Sequence, residues 1–280
     1  MNNMKLRFRN GLGKAFTMSY DDGVEQDVRL IELMRKNGIK GTFNLSAGCF
    51  AKKGIVYPTG QVHRRMDKDT CISVYQGNDI EVAIHGYTHP FLEAVPAPTA
   101  MMEIIRDRTE LEEAFGCIIR GMAYPYGTYD DHVVDILRMA GIAYSRTVEA
   151  RANFDIPKDW LRMGATCHHN HPKLNELLDI FVNETPTARQ DAFLFYLWGH
   201  SYEFEGDNNW QLIESFLEKI GGRSNVWYAT NIEIVDYVNA FRSLIFSVHA
   251  DSAYNPSAID VWAQVDNRVV HFPAGKTVKL

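Results

Sequence analysis

The sequence predicts an α/β fold in which a parallel sheet closes into a barrel and a small β appendage follows. Three observations predict it. Strand-like and helix-like segments alternate through six or seven units. The polar clusters that could carry chemistry each follow an apolar, strand-like run. Beyond Phe241 the texture changes to short β-prone runs separated by turn residues.

Taken in order, residues 15–20 read as a strand, and 28–37 as an amphipathic helix closed by Gly38. Residues 39–45 are β-prone. A Gly/Pro/Tyr-rich excursion over 54–60 precedes a helical stretch at 69–75 and a strand at 80–84. Residues 99–115 form the longest helix candidate, with Met101, Met102, Ile105, Leu111 and Phe115 available for one face. The rhythm repeats as strand 118–123, helix 131–140 and strand 142–147. It continues as helix 174–182, strand 192–198, helix 210–220, strand 226–230 and helix 233–241. Short strands are expected at 244–248, 258–265, 268–272 and 277–280, which makes 1–240 the barrel and 241–280 the appendage.

Composition narrows the function. A chain of 280 residues with 46% hydrophobic content buries a sizeable core. The net charge of -6, without a basic stripe, argues against nucleic acid. No apolar run is long enough to span a bilayer. The basic start, residues 1–9, lacks a following apolar region, so a cytoplasmic protein without a secretory leader is expected. Cys49, Cys71, Cys117 and Cys167 are scattered, which suits buried thiols better than a disulfide frame. The oligomeric state is not legible.

Four stretches carry chemistry. The first, Asp21-Asp22-Gly23, ends the strand at 15–20. Adjacent carboxylates raise each other's pKa unless a cation offsets them, so one can serve a divalent metal and the other stay free as a base. Taken alone, an acidic turn is the commoner reading. The second, His85-Gly86-Tyr87-Thr88-His89, follows the strand at 80–84 and can face two imidazoles to one ion if it coils into a turn. The third, Tyr124-Pro125-Tyr126-Gly127, can fix the Tyr126 N–H as an oxyanion donor. The fourth is Trp198-Gly199-His200, again at a strand end. In a parallel barrel all four fall on one rim. A further run, Thr166-Cys167-His168-His169-Asn170-His171, suggests either a second metal site or residues lining the cleft, and the cleft reading is preferred.

In order and placement these residues resemble the polysaccharide deacetylases with a NodB-homology domain, carbohydrate esterase family 4. The resemblance spans about residues 13–240. It implies a distorted (β/α)7 barrel holding one divalent metal, zinc above all, with cobalt or nickel as alternatives. It further implies Asp22, His85 and His89 as ligands, Asp21 as general base, Tyr126 N–H as oxyanion donor and His200 as general acid. Tyr126, Trp198, His168 and His169 are the expected substrate contacts. Three departures stand out. Gly86 replaces a hydroxyl residue, so the metal-binding loop needs another tether, for which Thr88 is the candidate. Ala123 stands where the family has an Arg that braces the base. The family's fourth motif is matched only loosely, at residues 155–160. The expected activity is removal of N- or O-acetyl groups from a carbohydrate, with an atypical substrate. The alternatives are a metal-dependent hydrolase of a non-sugar amide and a non-catalytic carbohydrate-binding barrel.

Overall fold

The computed structural model describes residues 4–280; residues 1–3, the start of the basic N-terminal stretch, lie outside the described residues. After β1 (Met4–Arg7), the chain enters β2 (Lys14–Asp21), a strand buried along its whole length. Helix α1 (Asp27–Lys36), β3 (Gly41–Leu45), α2 (Lys68–Val74), β4 (Ile80–Ile84), α3 (Ala97–Phe115) and β5 (Gly121–Ala123) follow. Next come α4 (Asp131–Met139), β6 (Tyr144–Ala150), β7 (Met163–Ala165), β8 (Cys167–His168) and α5 (Leu174–Asn183). The barrel is completed by β9 (Phe193–Gly199), α6 (Ser201–Gly206), α7 (Trp210–Ile220), β10 (Val226–Tyr228) and α8 (Asn231–Arg242).

The main sheet runs β7-β6-β5-β4-β3-β2-β9-β8, and every pairing in it is parallel. Only Thr166 separates β7 from β8. One bent run therefore pairs with β6 at its start and with β9 at its end, and this closes a distorted (β/α)7 barrel. Two irregularities account for the distortion. The β6–β7 register shifts between Arg146 and Ala150. β10 pairs with the lower half of β2, whereas β3 pairs with its upper end. Phe16, Met18, Tyr20, Phe43, Ile84, Met122, Phe195 and Leu197 fill one continuous core with the inner faces of the helices. Parallel strands buried on both faces read as nearly unbroken apolar runs, and this is why β2 and β9 are so plain in the sequence.

Several expected elements differ in detail. Residues 118–120 lead into β5 without joining it. Thr230, read as the end of a strand, instead caps α8 in a reciprocal capping box with Glu233. The short pieces β7, β8 and α6 carry too few residues to show a period. Residues 4–7, read with the barrel, pair antiparallel with β13 (Val261–Val265), which also pairs with β14 (Arg268–Phe272). A second small sheet joins β11 (Ile245–Phe246), β12 (Ser252–Tyr254) and β15 (Thr277–Lys279). Leu6, Phe8, Tyr237, Val261, Ala263 and Phe272 form the core beneath the first of these sheets. Among the described residues all four cysteines are free thiols, and no helix is long and apolar enough to cross a membrane.

Candidate active site at the carboxyl rim

Because the strands are parallel, the ends of β2, β4, β5 and β9 meet at one rim, around a cavity of about 470 Å³. Its lining includes Asp21, Asp22, His85, His89, Tyr126, Arg146, Trp198 and His200. Three of the eight described non-glycine residues with positive φ lie here. Asp22 (φ 83°), His89 (φ 56°) and Tyr126 (φ 58°) all occupy the left-handed region that non-glycine residues usually avoid. Each sits in a sharp turn that carries a side chain or an N–H back over the strand ends.

Asp22, His85 and His89 each offer one ligand atom, and these atoms lie within 4.8 Å of one another. The Nε2 atoms of His85 and His89 are 3.1 Å apart. Two nitrogens at ordinary zinc distances on a tetrahedral ion stand about 3.3 Å apart. His85 Nδ1 lies 2.7 Å from the Ala123 carbonyl, to which it donates, so its Nε2 lone pair faces the cavity. Burial and the neighbouring His85 pull His89 down to about 4, which keeps its imidazole neutral and able to ligate. The donor set of one carboxylate and two neutral imidazoles fits a borderline divalent ion such as zinc.

The loop that carries the imidazoles is tied down from α3. Asp107, fully buried, accepts from the backbone N–H of His85 (3.0 Å) and of Ala47 (2.7 Å). Burial raises its pKa to about 8. Thr88, the expected substitute tether, donates through both N–H and hydroxyl to Glu103, at 2.7 and 2.9 Å. From the opposite side, residues 63–66 fold over the end of β2. Met66 N–H reaches the Gly23 carbonyl (2.8 Å), and Arg65 and His63 contact Asp22 at 2.5 and 3.2 Å. Burial works against the Asp22 charge, but His63 and Arg65 outweigh it and hold the carboxyl far below the usual range.

Asp21 is held separately. Asn44 Nδ2 donates to its Oδ1 at 2.7 Å, and the Arg146 guanidinium donates to its Oδ2. Burial again opposes the charge, and Arg146, His85 and His200 together keep the carboxyl below its ordinary value. Arg146, on β6, thus stands against Asp21, where position 123 offers only a methyl group. His200 Nε2 lies 3.7 Å from Asp21 Oδ2, and its Nδ1 donates to Glu203 Oε1 at 3.0 Å. Glu203 is on α6, three residues beyond His200, so a helical turn aims it back at the ring. Burial disfavours the imidazolium, yet Glu203 and the two aspartates raise His200 above its ordinary value.

The expected contacts His168 and His169 are placed differently. Neither lines the cavity. His169 is fully buried, stacked on Tyr20 and bonded to its hydroxyl at 3.1 Å. His168 Nε2 approaches Glu203 at 3.2 Å, so both histidines stand behind Glu203 rather than in the cleft. A parallel strand pairing with β9 turns this pair toward the space behind Gly199, where a Cβ would lie 2.0 Å from His169 Nδ1. Cys167 is buried, and burial pushes its thiol up to about 12. Trp198 does line the cavity, its ring 4.2 Å from the Arg146 guanidinium carbon. Tyr126 is at the rim, stacked on Phe91 at 3.9 Å, and its N–H finds no acceptor among the described residues. Asp155 and Asp159, in the loosely matched fourth motif, line a different cavity of about 680 Å³ that shares no residue with this one.

Replacing Glu203 by Gln tests the brace on His200. Glu203 favours the protonated ring, so the stabilisation is present at low pH and fades as pH rises through the raised His200 value. In Glu203→Gln the alkaline limb of the kcat profile should move to lower pH. Metal content should stay that of the wild type.

The fold defines the class, a distorted parallel α/β barrel. Residues 9–145, a little under half of the chain, match the family model described as polysaccharide deacetylase, in line with the resemblance carried by the motifs. Among solved structures, a Mycobacterium smegmatis protein assigned to the polysaccharide deacetylases is 16% identical with a TM-score of 0.59, over 85% of this chain and 94% of that one. A family 4 carbohydrate esterase from Streptomyces lividans, solved with acetate, is 14% identical with a TM-score of 0.51, over 78% and 93%. The match to the Streptococcus pyogenes deacetylase PplD, 17% identical with a TM-score of 0.44, spans 52% of this chain and 61% of that protein. At these identities the likeness is one of fold. Among curated proteins no sequence matches.

Proposed function

We propose that the protein is a metal-dependent hydrolase that removes acetyl groups from an N- or O-acetylated carbohydrate. The observation that carries this reading is the convergence of Asp22, His85 and His89 on one point, with the ionised Asp21 beside them. Asp22, His85 and His89 would hold the divalent ion, zinc by the donor set. When bound, such an ion polarises the acetyl carbonyl and acidifies a water. Asp21 takes the proton from that water as its oxygen bonds to the carbonyl carbon. The Tyr126 N–H, fixed between Pro125 and Gly127 and without an acceptor among the described residues, faces the developing oxyanion. His200, protonated and oriented by Glu203, gives its proton to the leaving nitrogen or oxygen as the C–N or C–O bond breaks, and acetate and the free sugar leave.

The rim supports a carbohydrate. Phe91 and Tyr126 stack into a partly exposed aromatic surface, and Tyr202 and Val148 complete the wall. The cavity volume suits an acetyl group and one or two rings. Acetate release from a panel of acetylated mono- and oligosaccharides, set beside small linear and cyclic amides, tests the proposal with zinc-loaded protein. Turnover confined to the sugars is expected. Turnover confined to the amides would replace the carbohydrate by another C–N substrate, and zinc binding without turnover on either set would leave only a binding barrel.

A further inference from the structure

Arg146 is one of the largest fully buried side chains of the protein, with 1% of its side chain exposed, and its partner Asp21 has 2%. In the parallel β5–β6 register Arg146 is paired with Ala123. Paired residues on adjacent strands point to the same face of a sheet. A guanidinium rooted at either position therefore approaches the same carboxylate. Ala123 is itself completely buried and presents only a methyl group, which leaves the space to the neighbouring side chain. The Ala123 carbonyl already serves His85 Nδ1, and the Arg146 carbonyl accepts from Tyr124 N–H at 3.0 Å. The two positions thus share one hydrogen-bonded corner of the barrel.

We propose that Arg146 is the positioning residue for the Asp21 carboxylate, and that the role belongs to this corner of the barrel, reached equally well from position 123. The inference rests on the reading of Asp21 as the base. Asn44 fixes one carboxylate oxygen and Arg146 the other, so together they set the plane of the group. The guanidinium in turn lies over the Trp198 ring, its carbon 4.2 Å from the ring centre. Among the described residues its Nε and Nη1 have no hydrogen-bond partner, which leaves Asp21 as its strong anchor. Lysine does not reproduce this arrangement, because a compact, strongly hydrated ammonium does not take the place of a delocalised guanidinium over the indole.

The test is a swap. Arg146→Met should lower kcat by about 100-fold with KM and zinc content nearly unchanged, the signature of a misplaced group rather than lost binding. Arg146→Lys should remain close to the Met variant. The double variant Ala123→Arg/Arg146→Ala should recover most of the lost kcat and of the lost melting temperature, relative to Arg146→Ala alone. Full activity in Arg146→Met, or a folded, zinc-loaded double variant that recovers neither quantity, overturns the proposal. Melting needs no substrate, so it decides the point separately. Arg146→Met should destabilise less in an Asp21→Asn background than in the wild type, whereas additive losses would count against the pair. A wild type that releases no acetate tells against the deacetylase reading alone.

Discussion

Asp21→Asn should lower acetate release by about 10²–10⁴-fold while leaving zinc stoichiometry unchanged. The two halves of that expectation come from different bonds. The amide keeps the shape of the carboxylate but cannot take a proton from water. Asp22, His85 and His89 offer three converging ligand atoms without Asp21. The substitution also leaves the buried Arg146 guanidinium without its counter-charge, and breaking a buried pair in this way costs about 3–5 kcal/mol. Activity and melting temperature should fall together, so rates are compared well below the lowered melting point. Residual turnover above a tenth of wild type would remove Asp21 from the role of base. Loss of zinc would make it a ligand instead.

Chelation is the second large effect. Stripping the ion should reduce turnover to background, and returning zinc should restore it. The fold should survive the treatment, because Asp22 retains Arg65 and His63 as positive partners and His85 remains pinned by Asp107 and Ala123. Far-ultraviolet dichroism of the chelated protein checks this. His89→Ala should weaken zinc at least about 100-fold, since it removes one of three ligands outright, a larger loss than that of a supporting contact. Undiminished turnover in chelated protein, with metal analysis confirming its removal, would end the metal-dependent reading.

What was legible in the sequence follows from how the information is stored. Strands β2 and β9 announce themselves as long apolar runs, and the polar residues that end them are contiguous with those runs. Asp21, Asp22, His85, Tyr126, Trp198 and His200 could therefore be placed on one rim from spacing alone. Residues that act across the barrel have no such local mark. Arg146 sits in the middle of an ordinary strand, Asp107 within a long charged helix and Arg65 in an irregular loop. Only the closed sheet brings them to the aspartates and histidines. Glu203 was within reach, three residues from His200, yet nothing marked residues 201–206 as a helix that would turn it back. His168 and His169 failed as cleft residues because the closure of the barrel at Thr166 rotates them behind the strand that carries His200.

The pairing of β1 with β13 sets an order of events during synthesis. Residues 4–7 are hydrogen-bonded to residues 262–265, which are made only after all the strands of the barrel. The barrel strands are complete before that partner emerges, so residues 4–7 wait unpaired while the carboxyl rim assembles. Docking of the finished hairpin then pairs that segment and shields an edge that a nascent protein would otherwise offer to its neighbours.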